Sequence, residues 1–476
     1  MASTSEFDFN KNIAEALADT ELRANFRAAT DTLLAKRKTI FSSPEETEHL
    51  RDVGSLMKKN VIGKLPQLLE KFEKQCIKNG IIVHWAETAL ESNELILGIL
   101  DEHSVTKVIK GKSMTTEETH LNAYLEKHGK EIIETDFGEF ILQLNNEPPS
   151  HIIVPAVHKN RKQIARVLAD NLPDMEYTED VGVMLTKVRS TLRSHYQTAD
   201  AGISGVNFGI AETGTLCLVE NEGNGRMCTT VPDLHIALMG VEKIVENLAD
   251  IPALYRLLCG SATGQRITTY FNMISGPRKK DERDGPREVH LVLLDNGRSR
   301  IMNDPQLSES LKCIRCGTCL NHCPVFTRIG GHAYGSAYPG PIGTILTPQL
   351  EGLNPKGALA TASSLCNACA EVCPVKIPIP EIIRRIRDES YGNGDLLKIG
   401  GNGYKKNLIE TVTWKAWKIA QVNPVINKTM LWFLTTFGNK LPKVGPLKAW
   451  TSVRTAPKFG KQSLKDRVKK EGIRHE

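Results

Sequence analysis

Seven of the eleven cysteines lie in two short blocks that repeat at a constant distance. The first block, CIRCGTCLNHCP, has the spacing C-x2-C-x2-C-x3-C and ends at Pro324, and the second, CNACAEVCP, follows fifty residues later and ends at Pro374. Bacterial ferredoxins use this spacing for iron–sulfur clusters. Thiolates separated by two residues in a tight turn reach three corners of one cubane cluster, so a distant residue must supply the fourth. The pattern predicts two iron–sulfur clusters.

The ligand sets are predicted to cross between the blocks, because in two-cluster ferredoxins the cysteine before the proline ligates the other cluster. The first cluster then takes Cys313, Cys316, Cys319 and Cys373, and the second takes Cys323, Cys366 and Cys369. The offset of fifty places Ser363 where Cys313 stands, so the second cluster has only three evident thiolates. It is either a three-iron cluster or a four-iron cluster whose last iron is held by Ser363, His332, water or a partner. The four-iron form is the prediction.

Structural zinc and a disulfide framework are the other uses of such cysteines. A zinc site closes with two separated ligand pairs around one tetrahedral ion. Seven thiols, with an additional C-x2-C step and two Cys-Pro endings, fit that arrangement poorly. The cysteine pattern therefore favours iron–sulfur clusters over both alternatives.

The chain as a whole has 476 residues, 40% hydrophobic and 24% charged, which is the composition of a soluble protein of two or three domains. Residues 8–78 carry apolar positions at three- and four-residue steps, which predicts helices. From 79 to 300, the β-branched runs IIVHWA, VTKVIKG, EIIETD and HIIVPAV alternate with helical runs, which predicts an α/β domain with a largely parallel sheet. The expected domains are a helical layer over 1–78, the α/β domain over 79–300, a two-cluster domain over 301–395 and a tail over 396–476.

A glycine-rich stretch from Gly202 to Val245 is the densest part of the α/β domain. Glu212, Asn224 and Arg226 supply polar groups beside these glycines, so they are candidates for a small anion or carboxylate pocket. The glycines form neither a G-x-G-x-x-G fingerprint nor a P-loop. Turns at the edge of a sheet are the favoured interpretation of the stretch.

Two further predictions concern side chains that carry no ligand spacing. Cys76, Cys217, Cys228 and Cys259 are expected to be buried small side chains, and His235 is expected to be a structural histidine.

Between the cysteine blocks, residues 330–357 are rich in glycine and proline and cannot be one regular element. His332, Tyr334 and Tyr338 in this loop could line an approach to a cluster, but exposed positions are the favoured interpretation.

The tail is strongly basic. Residues 401–476 hold thirteen lysines and three arginines against four acidic residues, a formal net charge of +12, while the whole chain is +6. Four of the five tryptophans also lie there, namely Trp414, Trp417, Trp432 and Trp450. Basic amphipathic helices with tryptophan suit a partner interface or a peripheral membrane contact, and a merely solvated tail is the third alternative. Nucleic acid is not expected, because no recognised binding module accompanies the charge.

The opening MASTSEFDFNKN lacks a basic segment followed by an apolar one, and no run approaches the roughly eighteen apolar residues of a spanning helix. We therefore expect a reducing, cytoplasmic location, in which thiolates stay free to bind iron, with membrane association limited to the basic tail.

Taken together, several stretches resemble the lactate-utilisation protein B family. They are GISGVNFGIAETGT, NEGNGRM and HIALMGVEKIV, then GPREVHLVLLDNGRSRI, and finally CIRCGTCLNHCPVF and LCNACAEVCPVKIPI. The resemblance implies a lactate-utilisation-type α/β domain, similar to the sugar-phosphate isomerase and coenzyme A transferase folds, fused to an α-helical two-cluster ferredoxin-like domain. It also implies that the seven cysteines are cluster ligands and that serine at position 363 is usual.

The resemblance implies a role in oxidising L-lactate to pyruvate, together with a cysteine-rich iron–sulfur partner subunit and a second protein that carries the lactate-utilisation domain. No flavin or nicotinamide fingerprint is present, so we expect a non-catalytic electron-transfer subunit of an L-lactate dehydrogenase complex. The alternative is that the α/β domain itself binds or converts a small carboxylate, with the clusters as a redox sensor.

Overall fold

The computed structural model describes residues 7–391, 408–441 and 458–472, with the single positions 451 and 455. The chain forms two compact units, residues 1–404 and residues 405–476. The first unit contains an α/β domain and the cysteine-rich domain. The second contains the basic tail.

Helices occupy residues 9–78, where the apolar spacing predicts them. They are α1 (Phe9–Ala18), α2 (Thr20–Ile40), α3 (Pro44–Gly63) and α4 (Leu65–Lys78). Side chains of Asp8, Asp19 and Ser43 accept backbone N–H groups at the starts of α1, α2 and α3, which satisfies donors that a helix leaves unpaired. Helix α4 buries Phe72 and Cys76. The expectation that Cys76 is a packed thiol is confirmed.

The α/β domain is built on a six-stranded parallel sheet in the order β1-β10-β7-β4-β2-β3. A smaller sheet pairs strands in the order β8-β5-β6-β9. The strands are β1 (Ile82–Ala86), β2 (Lys107–Lys110), β3 (Glu131–Glu134), β4 (Ala201–Gly205), β5 (Phe208–Ile210), β6 (Thr215–Glu220), β7 (Leu234–Gly240), β8 (Ile244–Val245), β9 (Tyr270–Ile274) and β10 (Glu288–Leu294). The predicted parallel sheet is confirmed, and the runs IIVHWA, VTKVIKG and EIIETD form its first three strands.

Helices cover both faces of the large sheet, as a parallel sheet requires. The helices of this part of the chain are α5 (Ala89–Glu102), α6 (Met114–Glu118), α7 (Leu121–Lys127), α8 (Phe137–Leu144), α9 (Arg161–Asn171), α10 (Val181–Thr198), α11 (Asn224–Thr230), α12 (Ile251–Ala262) and α13 (Arg298–Met302). Every residue of β7 is buried, so this strand lies in the interior of the domain.

The run HIIVPAV is not a strand, so this prediction is wrong. The backbone closes a loop there, because the N–H of Ser150 donates to the carbonyl of Pro155 at 3.0 Å. The Nδ1 of His151 accepts the N–H groups of Ile153 and Val154 at 3.0 and 3.1 Å. The imidazole of His151 thus accepts backbone N–H groups that would otherwise pair with a neighbouring strand.

The glycine-rich stretch is also wrongly predicted as turns at a sheet edge. It forms β4 to β7 with α11, and β4 and β7 lie in the interior of the large sheet. Gly202 on β4 is needed for close packing, because a Cβ there would lie 1.8 Å from the carbonyl oxygen of Cys228 on α11. The predicted burial of Cys217, Cys228 and Cys259 is confirmed, and buried His235 has its Nε2 2.8 Å from the hydroxyl of Ser204.

The cysteine-rich domain is helical. Its helices are α14 (Thr318–Asn321), α15 (Phe326–Ile329), α16 (Gly340–Glu351), α17 (Leu353–Lys356), α18 (Ala368–Glu371) and α19 (Ile379–Tyr391). The segment between the cysteine blocks is not one element, as predicted, but α16 lies inside it. Tyr334 and Tyr338 are buried, so the prediction that they are exposed is wrong. Apolar packing against Phe9 and Phe326 accounts for Tyr334.

The described part of the second unit contains helices α20 (Leu408–Val422), α21 (Pro424–Phe437) and α22 (Leu464–Glu471). Trp414, Trp417 and Trp432 are exposed within it, with exposed fractions of 62, 52 and 61%. Trp450 lies outside the described residues. Among the residues that the structure describes, no helix is both long enough and apolar enough to cross a membrane.

Candidate iron–sulfur site and the adjoining cavity

The sequence repeat of the two cysteine blocks is also a repeat of backbone conformation. Arg315 and Leu365 have φ angles of 59° and 54°, and Gly317 and Asn367 both have a φ of 70°. Short helices follow at equivalent positions, α14 in the first block and α18 in the second. Left-handed conformations are unusual for residues with a side chain. Their recurrence at an offset of fifty shows that both blocks form the same cysteine-bearing turn.

Four thiols converge on a small cavity in the first block, and they are those of Cys313, Cys316, Cys319 and Cys373. The N–H of Arg315 donates to the Sγ of Cys313 at 3.4 Å, and that of Ile377 donates to the Sγ of Cys373 at 3.3 Å. Burial, with the nearby Cys313 thiolate, raises the pKa of Cys316. A buried set of four thiols with N–H donors fits a tetranuclear iron–sulfur cluster, since the cluster stabilises the thiolates that burial alone would disfavour.

The remaining three cysteines lie near one another. Burial and then the Cys366 thiolate raise the pKa of Cys323. Burial, followed by the Cys323 and Cys366 thiolates, raises the pKa of Cys369 to about 12. The N–H of Phe326 donates to the Sγ of Cys323 at 3.5 Å. This thiol set fits a second cluster with three cysteine ligands.

Ser363 occupies the position that Cys313 has in the first block. Its Oγ accepts the N–H of Leu365 at 3.1 Å, as the Sγ of Cys313 accepts the N–H of Arg315. The other candidate for the fourth ligand, His332, is exposed, and its Nε2 lies 2.8 Å from the carbonyl oxygen of Pro148. Ser363 is therefore the candidate whose side chain matches the ligand position.

Burial distinguishes the two blocks. The first is enclosed, with Cys316 and Cys319 buried and Cys313 half-buried. In the second, Cys366 is exposed, and its neighbour Leu365 has an exposed fraction of 38%. A cluster in the second block would thus lie close to the protein surface.

Several cations surround the first thiol set. Arg51 of α3 donates to the carbonyl oxygens of Cys373 and Ala370 at 2.9 and 3.1 Å. Burial lowers the pKa of Lys58 to about 8, although Glu242 and the Cys313 thiolate oppose the shift. Burial and Arg315 lower the pKa of Lys243 to about 7. These cations would offset the negative charge of a thiolate-bound cluster.

A buried ionic network joins the α/β domain to the cysteine-rich domain. Arg298 donates to Glu242 at 2.5 Å and to Glu118 at 2.7 Å. Arg315 donates to Glu242 at 3.1 Å, and the hydroxyl of Tyr338 donates to Glu118 at 2.6 Å. Although burial favours the neutral acid, Arg298 and Arg315 hold the pKa of Glu242 at about 2.

A second, much larger cavity of about 610 Å³ lies mainly in the α/β domain, with Arg315 and Tyr338 of the cysteine-rich domain in its lining. Among the predicted pocket residues, Asn224 lines it. The other two lie outside the lining. Glu212 is exposed and accepts the N–H of Leu248 at 2.9 Å, and exposed Arg226 lies over the ring of Tyr270 at 5.9 Å. The structure does not bring these three residues together.

The same cavity is also lined by basic residues that no sequence motif identifies. Lys112 follows β2, Lys243 follows β7, and Arg315 comes from the first cysteine block. They are far apart in the chain and belong to no motif. The one available signal is that lysine and arginine occur just after a β-strand or within a cysteine block.

Three family models match consecutive parts of the chain. The LUD domain matches residues 69–294, the 4Fe-4S dicluster domain matches residues 309–377, and the C-terminal domain of lactate utilisation protein B matches residues 385–473. Together they account for the α/β domain, the cysteine blocks and the basic tail.

Relatives align with this chain over most of their length. Lactate utilization protein B of Oceanobacillus iheyensis is 42% identical, covering 90% of each chain. Its counterpart from Bacillus cereus (strain AH820) is 38% identical, covering 97% of each chain. The "Uncharacterized electron transport protein YkgF" of Escherichia coli (strain K12) is also 38% identical, covering 98% of this chain and 97% of that protein.

Proposed function

Because the chain belongs to the lactate utilisation protein B family, we propose that it is an electron-transfer subunit acting in the oxidation of L-lactate to pyruvate. The observation that carries the proposal is the convergence of four thiols on one cavity. The neighbouring group of three thiols adds support, because two clusters held in one domain suit the serial transfer of single electrons.

The proposed ligands of the first cluster are Cys313, Cys316, Cys319 and Cys373, and those of the second are Cys323, Cys366 and Cys369, with Ser363 as the fourth ligand of a four-iron cluster. When bound, each cluster stores and releases one electron. Cys323 and Cys373 tie each block to the other's cluster, so they hold the two turns in a fixed relation. The N–H donors to sulfur and the cations beside Cys313 stabilise added negative charge.

The carbon chemistry is assigned to partner subunits rather than to this chain. The proposed partners are a cysteine-rich iron–sulfur subunit and a second protein with a lactate-utilisation domain. The exposed second block, with Cys366 and Leu365 at the surface, supports a role as the place where electrons are exchanged with a partner.

The basic tail is proposed to dock a partner subunit. Its exposed tryptophans, such as Trp414 and Trp432, give apolar surface on a strongly basic segment. In full-length protein, replacing Trp414, Trp417 and Trp432 with serine should abolish co-purification with the other lactate-utilisation subunits. If this variant still binds the other subunits but no longer sediments with anionic lipid vesicles, the tail is assigned to a membrane surface instead.

The ligand assignment is tested by comparing Cys373→Ser with Cys323→Ser in anaerobically reconstituted protein. We expect roughly six to eight irons per wild-type chain. Cys373→Ser should perturb the electron paramagnetic resonance signal of the cluster held by Cys313, whereas Cys323→Ser should perturb the other. The reverse result would disprove the crossed assignment.

The electron-transfer role is tested separately by turnover. Purified, fully reconstituted protein should not oxidise L-lactate by itself, and activity should appear when the partner subunits are added. Lactate oxidation by the isolated chain would refute the proposed role.

A further inference from the structure

The large cavity of the α/β domain has carboxylates that are already engaged. Glu220 accepts the N–H groups of Gly225 and Arg226 at 2.6 and 2.8 Å, and Asp136 accepts the N–H of Glu139 at 3.1 Å. Glu222 accepts the N–H of Phe137 at 3.1 Å. Each acid in the lining therefore has a backbone donor.

Two basic side chains in the same lining, Lys112 and Arg315, keep buried donors without an acceptor, although Arg315 also donates to Glu242 at 3.1 Å. Within the described residues, the Nζ of Lys112 and the Nε and Nη1 of Arg315 are buried and make no hydrogen bond. Lys243 is buried as well and forms no ion pair there. An unpaired buried charge costs several kcal/mol. Three basic side chains at one cavity, two of them with unsatisfied donors, indicate that an anion belongs between them.

We propose that this cavity binds a small organic anion, whose carboxylate or phosphate group is held by Lys112, Lys243 and Arg315. The shape and lining of the cavity support an organic ligand. Its volume of about 610 Å³ falls in the range of small-molecule sites. Phe137, Ile152 and Val154 provide apolar walls for the ligand's carbon skeleton.

The site lies beside the first thiol set. Arg315 lines both the large cavity and the small cavity on which the four thiols converge. An anion bound next to Arg315 would therefore change the electrostatic environment of the first cluster and leave the exposed second cluster almost unaffected.

The alternative explanation is that the cations only balance the negative charge of the first cluster. Arg315 and Lys243 could serve that purpose, since the Cys313 thiolate favours the charged form of both. Lys112 distinguishes the two explanations. The titratable groups whose pKa values Lys112 lowers are His151, Glu139 and Glu222, which belong to the α/β domain rather than to the cysteine blocks.

Calorimetric titration of the reconstituted full chain with L-lactate, pyruvate and inorganic phosphate tests the proposal. We expect at least one of these anions to bind, and Lys112→Met and Lys243→Met each to weaken its binding by about 10- to 100-fold, the effect of losing a charge-assisted hydrogen bond. If L-lactate or pyruvate binds, the ligand of the cavity is an organic acid. If phosphate alone binds, the ligand is a phosphate ester. The bound anion should also shift the resonance signal of the first cluster.

Lys159→Met is the matched control. Lys159 lines the same cavity, but its ammonium already pairs with Glu147 at 2.9 Å, so binding should change by less than about threefold. The proposal is overturned if none of the three anions binds, or if binding is the same in Lys112→Met and Lys243→Met as in the wild type. An equal loss in the Lys159→Met variant would also overturn it. Calorimetry requires no electron transfer, so this result is independent of the proposed electron-transfer role.

Discussion

Residues 313–323 and residues 363–373 trace the same turn, but the first is enclosed while the second faces solvent. In the first, the loop around His151 and Ile153 covers Gly317, where a Cβ would lie 3.2 Å from each. The equivalent Asn367 is exposed. Cysteine spacing therefore sets the local turn, whereas the elements packed on the turn set its solvent access and the charges around it.

Iron removal should show the largest difference between the two blocks. With an anaerobic chelator, the cluster in the second block should lose iron at least about tenfold faster than the first, because water and chelator reach Cys366 directly. If the electron paramagnetic resonance signals of both clusters disappear at the same rate, burial does not control the access of the chelator to the clusters.

Exchanging the equivalent residues Arg315 and Leu365 should give the next largest effect. Arg315→Leu removes a buried cation and should lower the reduction potential of the first cluster on the order of 100 mV, as expected for a unit charge at an effective dielectric of about 20. Leu365→Arg should raise that of the second by only about 20 to 30 mV, because water screens an exposed charge.

Redox titration followed by paramagnetic resonance measures both shifts. Iron content of each variant serves as the control for intact clusters. Equal shifts of reduction potential in the two variants would contradict the difference in burial. An unchanged potential in Arg315→Leu would show that this residue does not influence the first cluster.

Ser363→Cys should have the smallest effect, because it changes one ligand atom. A thiolate at this position makes the second block match the first, and we expect a shift of tens of millivolts in its potential. Ser364→Cys, at the exposed neighbouring position, is the matched control and should leave the spectrum unchanged. If both variants behave alike, Ser363 is not a ligand position.

Much of the architecture follows from local sequence patterns. The helices of residues 9–78, three strands of the parallel sheet and the paired cysteine turns were predictable, because apolar period and cysteine spacing act over a few residues. Ser363 could be identified as the counterpart of Cys313 from the offset alone.

Other features depend on contacts between distant residues, and sequence patterns do not report these. HIIVPAV is β-branched like a strand, yet His151 binds its backbone and packs it on the cysteine-rich domain. Gly202 and Gly205 permit Cys228 of α11 and Ser113 to pack closely against β4, rather than turns at the edge of the sheet. Lys112, Lys243 and Arg315 meet at one cavity only because three separate segments of the fold converge there.

The bond from Arg51 to the carbonyl oxygen of Cys373 spans 322 residues of chain, and this separation dictates an order of events during synthesis. Helix α3 is synthesised early, and Arg51 cannot make this bond until most of the chain has been translated. Cys313, Cys316 and Cys319 emerge next, but the cavity that they share stays open until Cys373 has been made. A ribosome stalled before that codon would leave a nascent chain with three thiols gathered and the fourth still missing.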